Sequence, residues 1–298
     1  MTIIPTIQYV EEISRLAGKI ILEGFNKVKT VDTKSSAADL VTEFDVSVEK
    51  FLKEKIHSDF PSHVFLAEES SDDNAKLTNS PTWIIDPIDG TTNFIHTFPV
   101  CCVSIAFADQ GDVLLGVVYN PVTDELWSGS RGNGSHYSVR SNPPERLKTS
   151  GRQSIGEALI ATGFSVGIFR MSHEIQELPE VKKLHFATHR NFQVLSSESR
   201  DIRRTGSAAT DLCFVAMGRT DSYFEFGVRE WDVAAGLVIL KEAGGAVSSV
   251  GGSSLDLNAR NFLCASSEGL RLELCQKLVD VDMRSVVQAI DDFKNMRK

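Results

Sequence analysis

The segment at residues 83–99 constrains the fold of this chain more than any other part of the sequence. A short apolar run at 83–85 leads directly into two carboxylates, Asp86 and Asp89, with the rigid ring of Pro87 between them. Gly90 and the threonine and asparagine residues after it are typical of the start of a helix. Carboxylate oxygens beside free backbone N–H groups suit a metal cation that holds an anion such as phosphate. Taken alone, the same residues also fit a surface turn with a helix cap.

Composition excludes several classes of function. The chain has 298 residues, 42% of them hydrophobic, which is enough for one large domain or two packed halves. The net charge of −9 and the lack of a Lys/Arg run argue against nucleic-acid and membrane-surface partners. No apolar stretch has the length of a transmembrane helix, and the N-terminus lacks a signal-peptide pattern. Five scattered cysteines form no disulfide framework, so we expect a reduced, cytoplasmic protein.

Hydrophobic periodicity predicts a single catalytic module with two packed halves. The first half, 1–149, is predicted to be α+β, with helices at 6–28 and 42–57 and strands at 64–67, 83–86, 103–108, 113–119, 125–130 and 135–139. The proline- and glycine-bearing stretch at 142–151 is the predicted internal boundary. The second half, 150–298, is predicted to be α/β. Its strands are expected at 158–162, 202–204, 222–226, 246–250 and 261–265, and its helices at 170–190, 208–217, 231–243, 268–279 and 283–296.

Acidic residues follow two of the predicted strands. Glu68 closes the strand at 64–67, and Asp86 closes the strand at 83–86. If these strands are neighbours, both carboxylates emerge at the same edge of the sheet. Asp89 lies around the proline turn, and the backbone carbonyl of Ile88 supplies a neutral oxygen between the two aspartates. Since this set contains oxygen atoms only, it favours Mg²⁺ over Zn²⁺.

Four further features each have an ordinary structural interpretation when they are considered alone. Asp232 lies in the first turn of a predicted helix, and Gly206 with Ser207 opens another. Asp45 fits a capping box that begins at Thr42, or else orients a reacting water. Lys34 could neutralise carboxylates or phosphate, although it also fits an ordinary solvated surface lysine.

These motifs together resemble the inositol monophosphatase family, a branch of the Mg²⁺-dependent, lithium-sensitive phosphatases. Residues 83–99 resemble the first signature of that family, and residues 231–236 resemble the second. Three shorter elements follow the family's order: Ala67-Glu68-Glu69-Ser70, Asp39-Leu40-Val41-Thr42 with Asp45, and Gly206-Ser207-Ala208. The likeness covers roughly residues 5–280, and it implies a layered αβαβα sandwich of the inositol monophosphatase and fructose-1,6-bisphosphatase type.

The resemblance assigns a role to each group of residues. It implies that two to three Mg²⁺ ions are bound by Glu68, Asp86, the Ile88 carbonyl, Asp89 and Asp232. It implies that Thr91 and Asp45 position and help deprotonate the attacking water, with Glu68 reaching a third ion through water. The substrate would be contacted by Asp89, Gly90, Thr91, Gly206, Ser207, Ala208, Glu225 and Asp232. Lys34 and Ser165 are further candidates, since the stretch around 163–201 matches the family weakly.

The implied activity is hydrolysis of myo-inositol monophosphate to myo-inositol and phosphate by metal-activated water, without a covalent intermediate. A small phosphomonoester is thus the expected partner, and the resemblance also implies lithium sensitivity, a role in inositol metabolism and a homodimer. Apolar residues within 101–119 are a candidate dimer interface. Residues 279–298 continue past the usual family end, and their amphipathic pattern favours a packing helix over a partner-binding one.

Other functions are open at this stage. A phosphatase of the haloacid dehalogenase type would need Asp-x-Asp, whereas this chain has Asp-x-x-Asp. Another phosphomonoester, such as a nucleotide 3′-phosphate, histidinol phosphate, fructose 1,6-bisphosphate or another sugar phosphate, could be the substrate of the same site. A non-catalytic regulatory protein on the same fold is a third alternative, although every expected carboxylate is present.

Overall fold

The computed structural model describes residues 3–27, 29–33, 40–72 and 75–297, and the chain begins with two helices and a small hairpin. Helix α1 (Ile7–Phe25) starts where the Thr6 hydroxyl accepts a hydrogen bond from the Tyr9 amide. Strands β1 (Val31–Thr33) and β2 (Leu40–Thr42) pair in antiparallel fashion and were not predicted. Helix α2 (Glu43–Asp59) begins at the predicted capping box of Thr42 and Asp45. The sequence therefore predicted both helices correctly and missed the hairpin.

A seven-stranded sheet follows, in the order β3-β4-β5-β6-β7-β8-β9. Its strands are β3 (Val64–Ala67), β4 (Thr82–Asp89), β5 (Cys102–Asp109), β6 (Asp112–Asn120), β7 (Glu125–Ser130), β8 (Gly134–Val139) and β9 (Glu145–Arg146). The short helix α3 (Thr91–Ile95) lies between β4 and β5. Strands β3 and β4 are parallel, and the other pairs are antiparallel. The predicted strands are confirmed, but β4 extends to Asp89 and β9 lies inside the predicted boundary at 142–151.

The second half contains a mixed five-stranded sheet in the order β11-β10-β12-β14-β13. Its strands are β10 (Leu159–Thr162), β11 (Asp201–Arg203), β12 (Ser222–Phe226), β13 (Ala246–Ser248) and β14 (Asn261–Ala265). Its helices are α4 (Val166–Phe169), α5 (His173–Gln176), α6 (Pro179–Glu198), α7 (Ala208–Ala216), α8 (Glu230–Glu242), α9 (Glu268–Lys277) and α10 (Met283–Asn295).

The predicted helix at 170–190 has the wrong bounds. Two short helices, α4 and α5, precede a long helix that begins at Pro179 and ends at Glu198. Proline has no N–H to donate and its fixed φ suits the first turn of a helix, so Pro179 marks a start rather than an interior position.

The elements stack in five layers. Helices α1 and α2 cover one face of the seven-stranded sheet, and α8 packs on its other face. Helices α7 and α8 contact each other and lie between the two sheets, where the largest buried cluster includes residues of both halves. Helices α6, α9 and α10 cover the outer face of the second sheet. This arrangement confirms the predicted αβαβα sandwich.

Helix α8 lies close to the first sheet because glycine occupies two contact positions on that sheet. A Cβ added at Gly116 in β6 would stand 2.6 Å from the Cα of Ala235, and one added at Gly129 in β7 would stand 2.9 Å from the Cα of Ile239. The Ser104 hydroxyl in β5 also donates to the Trp231 carbonyl at 3.2 Å. These contacts set the height of α8 above the sheet and therefore the position of Asp232 in its first turn.

Two expectations about surfaces have clear outcomes. Helix α10 is a packing helix, as predicted, because Met283, Val286 and Ile290 are buried against the second sheet and α6. The suggestion of a dimer interface at 101–119 is wrong in its location. Val103 and Val117, with most apolar side chains of β5 and β6, are buried in the core of the same chain. None of the helices in the described ranges is long and apolar enough to cross a membrane.

Candidate active site

Two acidic residues meet at the ends of the parallel strands β3 and β4. Ala67 pairs with Ile85, and the Glu68 amide donates to the Ile85 carbonyl at 3.1 Å. Glu68 and Asp86 therefore leave the sheet side by side at its carboxyl edge, as the sequence predicted. The register of β4 against β5 shifts between Asp86 and Asp89, which is the site of the Pro87 turn.

Asp86 is the most deeply buried member of this acidic group. Its side chain is 1% exposed, and its Oδ1 atom has no hydrogen-bond partner within the described structure. Burial holds the pKa of the Asp86 carboxyl well above its ordinary value, and the charges of Glu68, Asp89 and Asp232 raise it further. An unpartnered carboxylate oxygen surrounded by like charges is unfavourable unless a cation or a proton compensates for it.

Asp89 joins the metal motif to the second half of the chain. Its Oδ2 accepts hydrogen bonds from the Ser207 hydroxyl at 2.6 Å and from the Ala209 amide at 2.8 Å. Its Oδ1 accepts from the Ala208 amide at 3.3 Å. Burial raises the pKa of Asp89 to about 6, although the hydrogen bonds from Ser207 and Ala209 oppose this increase. Asp89 thus caps the N-terminus of α7, where the helix dipole favours negative charge.

Asp232 is far from these residues in sequence but lines the same cleft as Glu68 and Asp89. It lies in the first turn of α8, and its Oδ2 accepts a hydrogen bond from the Arg229 amide at 2.7 Å. Burial raises the pKa of Asp232 well above its ordinary value, with further contributions from Glu68 and Asp89. Glu68, Asp89 and Asp232 line the same cleft, so carboxylates that are far apart in sequence lie near one another in the fold.

Thr91 and Asp45 form the second predicted pair. The Thr91 hydroxyl lies 3.3 Å from Oδ1 of Asp45 and 3.2 Å from the carbonyl oxygen of Ile88. The other Asp45 oxygen accepts from the amide and the hydroxyl of Thr42 at 2.9 and 2.5 Å. Asp45 therefore completes the capping box, as predicted, and also contacts Thr91. Its role toward a reacting water stays a prediction. A threonine between a carboxylate and the Ile88 carbonyl is suited to relaying a proton.

Part of the predicted site lines a cleft of about 860 Å³. Eight of the predicted residues line this cleft: Glu68, Asp89, Ser165, Gly206, Ser207, Ala208, Glu225 and Asp232. Asp86, Ile88, Gly90, Thr91 and Asp45 are not among its lining residues. Lys34 lies outside the described residues, as does Asp39 of the resembling motif.

Ser165 and Glu225 build one wall of the cleft. Ser165 adopts a left-handed φ of 51°, and its hydroxyl donates to the Phe226 carbonyl at 2.6 Å. Glu225 accepts a hydrogen bond from the Tyr223 hydroxyl at 2.7 Å, and burial raises its pKa. Gly163 leaves room for Glu225, because a Cβ there would stand 1.9 Å from the carboxyl group. This wall therefore presents a carboxylate that can accept hydrogen bonds from hydroxyl groups.

The acidic group fits a hard cation by its chemistry. Its oxygen atoms, with the unpartnered Asp86 Oδ1 among them, are the donor set that Mg²⁺ prefers. In this conformation, no group of three or more His, Cys, Asp or Glu side chains among the described residues is arranged to hold a metal ion. Asp89 and Asp232 are instead engaged by backbone amides. Binding of a cation would therefore have to draw these mutually repelling carboxylates together.

Sequence reasoning missed two polar residues at the site. Asn93 donates from its Nδ2 to the Val100 carbonyl at 2.7 Å and to the Thr205 carbonyl at 2.8 Å, which links the two halves. Asp211 in α7 is 2% exposed, has an unpartnered Oδ1 atom and lines the cleft beside Arg204. An asparagine after a helix start and an aspartate in a first turn both fit ordinary capping roles, so neither gave a distinct signal.

Comparison with known proteins indicates the same class of protein as the fold and the site do. A layered αβαβα molecule with an acidic cleft between its two sheets has the architecture of the metal-dependent phosphatases described by the resemblance above. The model of the inositol monophosphatase family matches residues 5–283. The chain therefore belongs to the inositol monophosphatase family.

Individual relatives are similar over most of their length. The chain is 39% identical to human inositol monophosphatase 2 over 268 residues, which are 89% of this chain and 88% of that protein. It is 42% identical to inositol monophosphatase 3 of Solanum lycopersicum, over 86% of this chain and 90% of the relative. The crystal structure of the extragenic suppressor protein suhB from Bartonella henselae matches with a TM-score of 0.76 at 32% identity, and covers 91% of this chain and 97% of its own.

Proposed function

We propose that this chain is a Mg²⁺-dependent phosphomonoesterase that hydrolyses myo-inositol monophosphate to myo-inositol and phosphate. The observation that carries the proposal is the buried Asp86 carboxylate, which has one unpartnered oxygen and is influenced by the charges of Glu68, Asp89 and Asp232. Those three neighbours line the cleft. Membership of the family and the names of its relatives support the substrate. The chain would work as one catalytic module, because residues of 1–149 and 150–298 contribute to the same cleft.

Glu68, Asp86, Asp89, Asp232 and the Ile88 carbonyl would hold two to three Mg²⁺ ions. When bound, Mg²⁺ supplies a nucleophilic water of lowered pKa and stabilises negative charge on the phosphate oxygens. The chain itself would orient the reactants and move the proton. The Thr91 hydroxyl would accept a hydrogen bond from the attacking water, and it would pass its own proton toward Oδ1 of Asp45, which lies 3.3 Å away.

The substrate would lie along the wall from Gly206 to Glu225. Backbone N–H groups at Gly90 and Thr91 would contact the phosphate, since helix starts present free N–H groups to anions. The amides near Ser207 and Ala208, the Glu225 carboxylate and the Ser165 region would contact the polyol. Glu225 suits hydroxyl groups, which can donate hydrogen bonds to it, and would repel a second phosphate. This charge distribution favours a monophosphate over a bisphosphate.

Four finer properties belong to the same proposal. We infer that the enzyme is a homodimer, that lithium inhibits it by competing for a weaker cation site, and that it is cytoplasmic and takes part in inositol metabolism. The five cysteines are all free thiols, and four of them are buried, which supports a reducing location. Size-exclusion chromatography with light scattering tests the dimer, and inhibition curves with LiCl test the cation competition.

Phosphate release from inositol 1-phosphate tests the central proposal. The full chain is assayed with Mg²⁺, with EDTA, and with Mg²⁺ plus LiCl, against a panel that includes a nucleotide 3′-phosphate, histidinol phosphate and fructose 1,6-bisphosphate. We expect Mg²⁺-dependent turnover with preference for the inositol ester. Preference for a bisphosphate would refute the substrate assignment, and absence of metal-dependent turnover on every ester would refute the enzymatic role in favour of a regulatory one.

A further inference from the structure

A second cavity lies beside helix α1, on the face of the seven-stranded sheet against which that helix packs. It measures about 230 Å³, and residues of α1, β7, β8 and the connection from β8 to β9 line it. None of these residues lines the active-site cleft, so the cavity is separate from the site described above. We call it the α1 cavity, and its polar lining residues include Glu11, Arg15, Ser128, His136, Ser138 and Arg140.

The strand register places polar side chains side by side on the floor of this cavity. Ser128 in β7 pairs with His136 in β8, and Leu126 pairs with Ser138. Paired residues point to the same face of a sheet, and so do residues two apart along a strand. Leu126 packs in the buried cluster that contains α1, which identifies this face as the α1 side. Arg146 in β9 pairs with His136, so it lies on the same face at the margin of the sheet.

The floor contains a buried hydroxyl that the protein does not satisfy. Ser128 is 4% exposed, and its hydroxyl has no hydrogen-bond partner among the described residues. Beside it, the Ser138 hydroxyl accepts a hydrogen bond from Nη2 of Arg15 at 3.4 Å, and Asp124 holds Nη1 of the same guanidinium at 3.1 Å. A buried polar group without a partner is unfavourable, so the floor offers a ligand an unused hydroxyl next to a fixed guanidinium.

Basic groups outnumber acidic groups around the α1 cavity. Arg15, Arg140 and His136 line it together with a single carboxylate, that of Glu11. Neither Arg140 nor Glu11 forms an ion pair within the part of the chain that the structure describes. This excess of basic groups occurs on a chain whose net charge is −9. Guanidinium groups match the oxygen atoms of carboxylates and phosphates, so the expected ligand is a small oxyanion.

Glu11 selects among the possible oxyanions. An ionised carboxylate can only accept hydrogen bonds, so an anion beside Glu11 must bring a proton of its own. Inorganic phosphate keeps at least one P–OH group at neutral pH, whereas sulfate and carboxylates carry no proton there. The combination of basic groups with one carboxylate therefore suits phosphate and disfavours the other common oxyanions.

We propose that the α1 cavity is a second phosphate site, which binds inorganic phosphate outside the active site and rejects sulfate through Glu11. Arg140, Arg15 and the Ser128 hydroxyl donate hydrogen bonds to the phosphate oxygens, and the P–OH group donates to the Glu11 carboxylate. This site uses no residue of the proposed phosphatase mechanism, so it does not depend on the proposed function.

Calorimetric titration in EDTA with phosphate and with sulfate tests the proposal. Without Mg²⁺ the active-site carboxylates do not attract an anion, so the measurement reports on the basic cavity. We expect phosphate to bind the unaltered chain about tenfold more tightly than sulfate, since sulfate leaves Glu11 without a donor. Arg140→Gln combined with Ser128→Ala should raise the Kd for phosphate about tenfold.

Two further variants make the test specific. Glu11→Gln supplies an amide donor and should bring the Kd values for sulfate and phosphate within about threefold of each other. Arg131→Gln is the matched control, because Arg131 is an exposed arginine after β7 that does not line the α1 cavity, and it loses the same charge. Its Kd for phosphate should change less than about twofold.

The outcomes separate this proposal from the proposed function. Melting curves show whether each variant is folded. Absence of phosphate binding by the unaltered chain in EDTA, equal affinity for sulfate, or binding that the double variant retains would overturn the second phosphate site, as would an equal loss in the Arg131→Gln control. Turnover of inositol 1-phosphate with Mg²⁺ is measured independently, and its absence would refute the proposed function while leaving the calorimetric result to decide about the α1 cavity.

Discussion

Replacing Asp86 by asparagine should stabilise the metal-free protein and abolish its response to Mg²⁺. Asp86 is 1% exposed, its Oδ1 atom is unpartnered, and three other carboxylates influence it. In the absence of a cation, the charge of Asp86 is therefore unfavourable to folding. The amide of asparagine has nearly the same shape without the charge, so the same substitution that removes a proposed metal ligand also removes this repulsion.

The magnitude follows from Asp89 in the same acidic group. Its pKa is raised from 3.8 to about 6, which corresponds to about 3 kcal/mol at neutral pH. Asp86 is buried at least as deeply and is influenced by three other carboxylates, so Asp86→Asn should add a similar ~3 kcal/mol to the free energy of unfolding of the metal-free protein, or about 5 °C in Tm. For the unaltered protein, Mg²⁺ at about one hundred times its Kd should add ~2.7 kcal/mol, or about 5 °C.

Differential scanning calorimetry in EDTA and in Mg²⁺ measures both effects, and phosphate release measures turnover. We expect a higher Tm in EDTA, no increase with Mg²⁺, and loss of turnover for the variant. Asp112→Asn is the matched control, because Asp112 forms an exposed ion pair with Arg131 and should change stability by less than about 1 kcal/mol. A variant that melts lower in EDTA and still responds to Mg²⁺ would refute the reasoning.

Three further predictions concern other parts of the site. Thr91→Val should lower kcat by about a hundredfold or more with an unchanged melting curve, because it removes the hydroxyl that contacts Asp45; near-normal turnover would contradict the proton relay. Asn93→Ala should lower the free energy of unfolding by about 1–3 kcal/mol, because the carbonyl of Thr205 loses a donor, and denaturant melts measure this loss. In EDTA, Tm should fall as the pH rises from about 4 through about 6, because Asp89 titrates at 3.8 when unfolded and about 6 when folded; a Tm that rises over this range would show that Asp89 does not govern stability there.

The sequence predicted the elements that have strong periodicity or clear end signals. The strand before Asp86 is a buried run, and the strand before Glu68 is buried at its last two residues. Their parallel pairing brings both carboxylates to one edge, as expected. The helix starts at Thr42 and Ser207 are likewise confirmed, because their side chains accept hydrogen bonds from backbone amides. Local sequence patterns therefore predicted the elements on each side of the site, but each side independently of the other.

The remaining features depend on contacts that local patterns do not contain. The hairpin of β1 and β2 has only three residues in each strand, too few for an alternating pattern to be recognised. Asn93 was missed because its two acceptors are backbone carbonyls, which leave no mark in the sequence.

The glycine contacts beneath α8 have a consequence for the evolution of this chain. A side chain at Gly116 would collide with the Cα and the carbonyl oxygen of Ala235, which are backbone atoms. A second substitution at position 235 cannot remove backbone atoms, so it cannot relieve the collision. We therefore expect no covariation between positions 116 and 235. Relief requires a displacement of α8, which carries Asp232 with it. A genetic screen for inactive but folded enzyme should therefore recover Gly116, although this residue does not line the cleft.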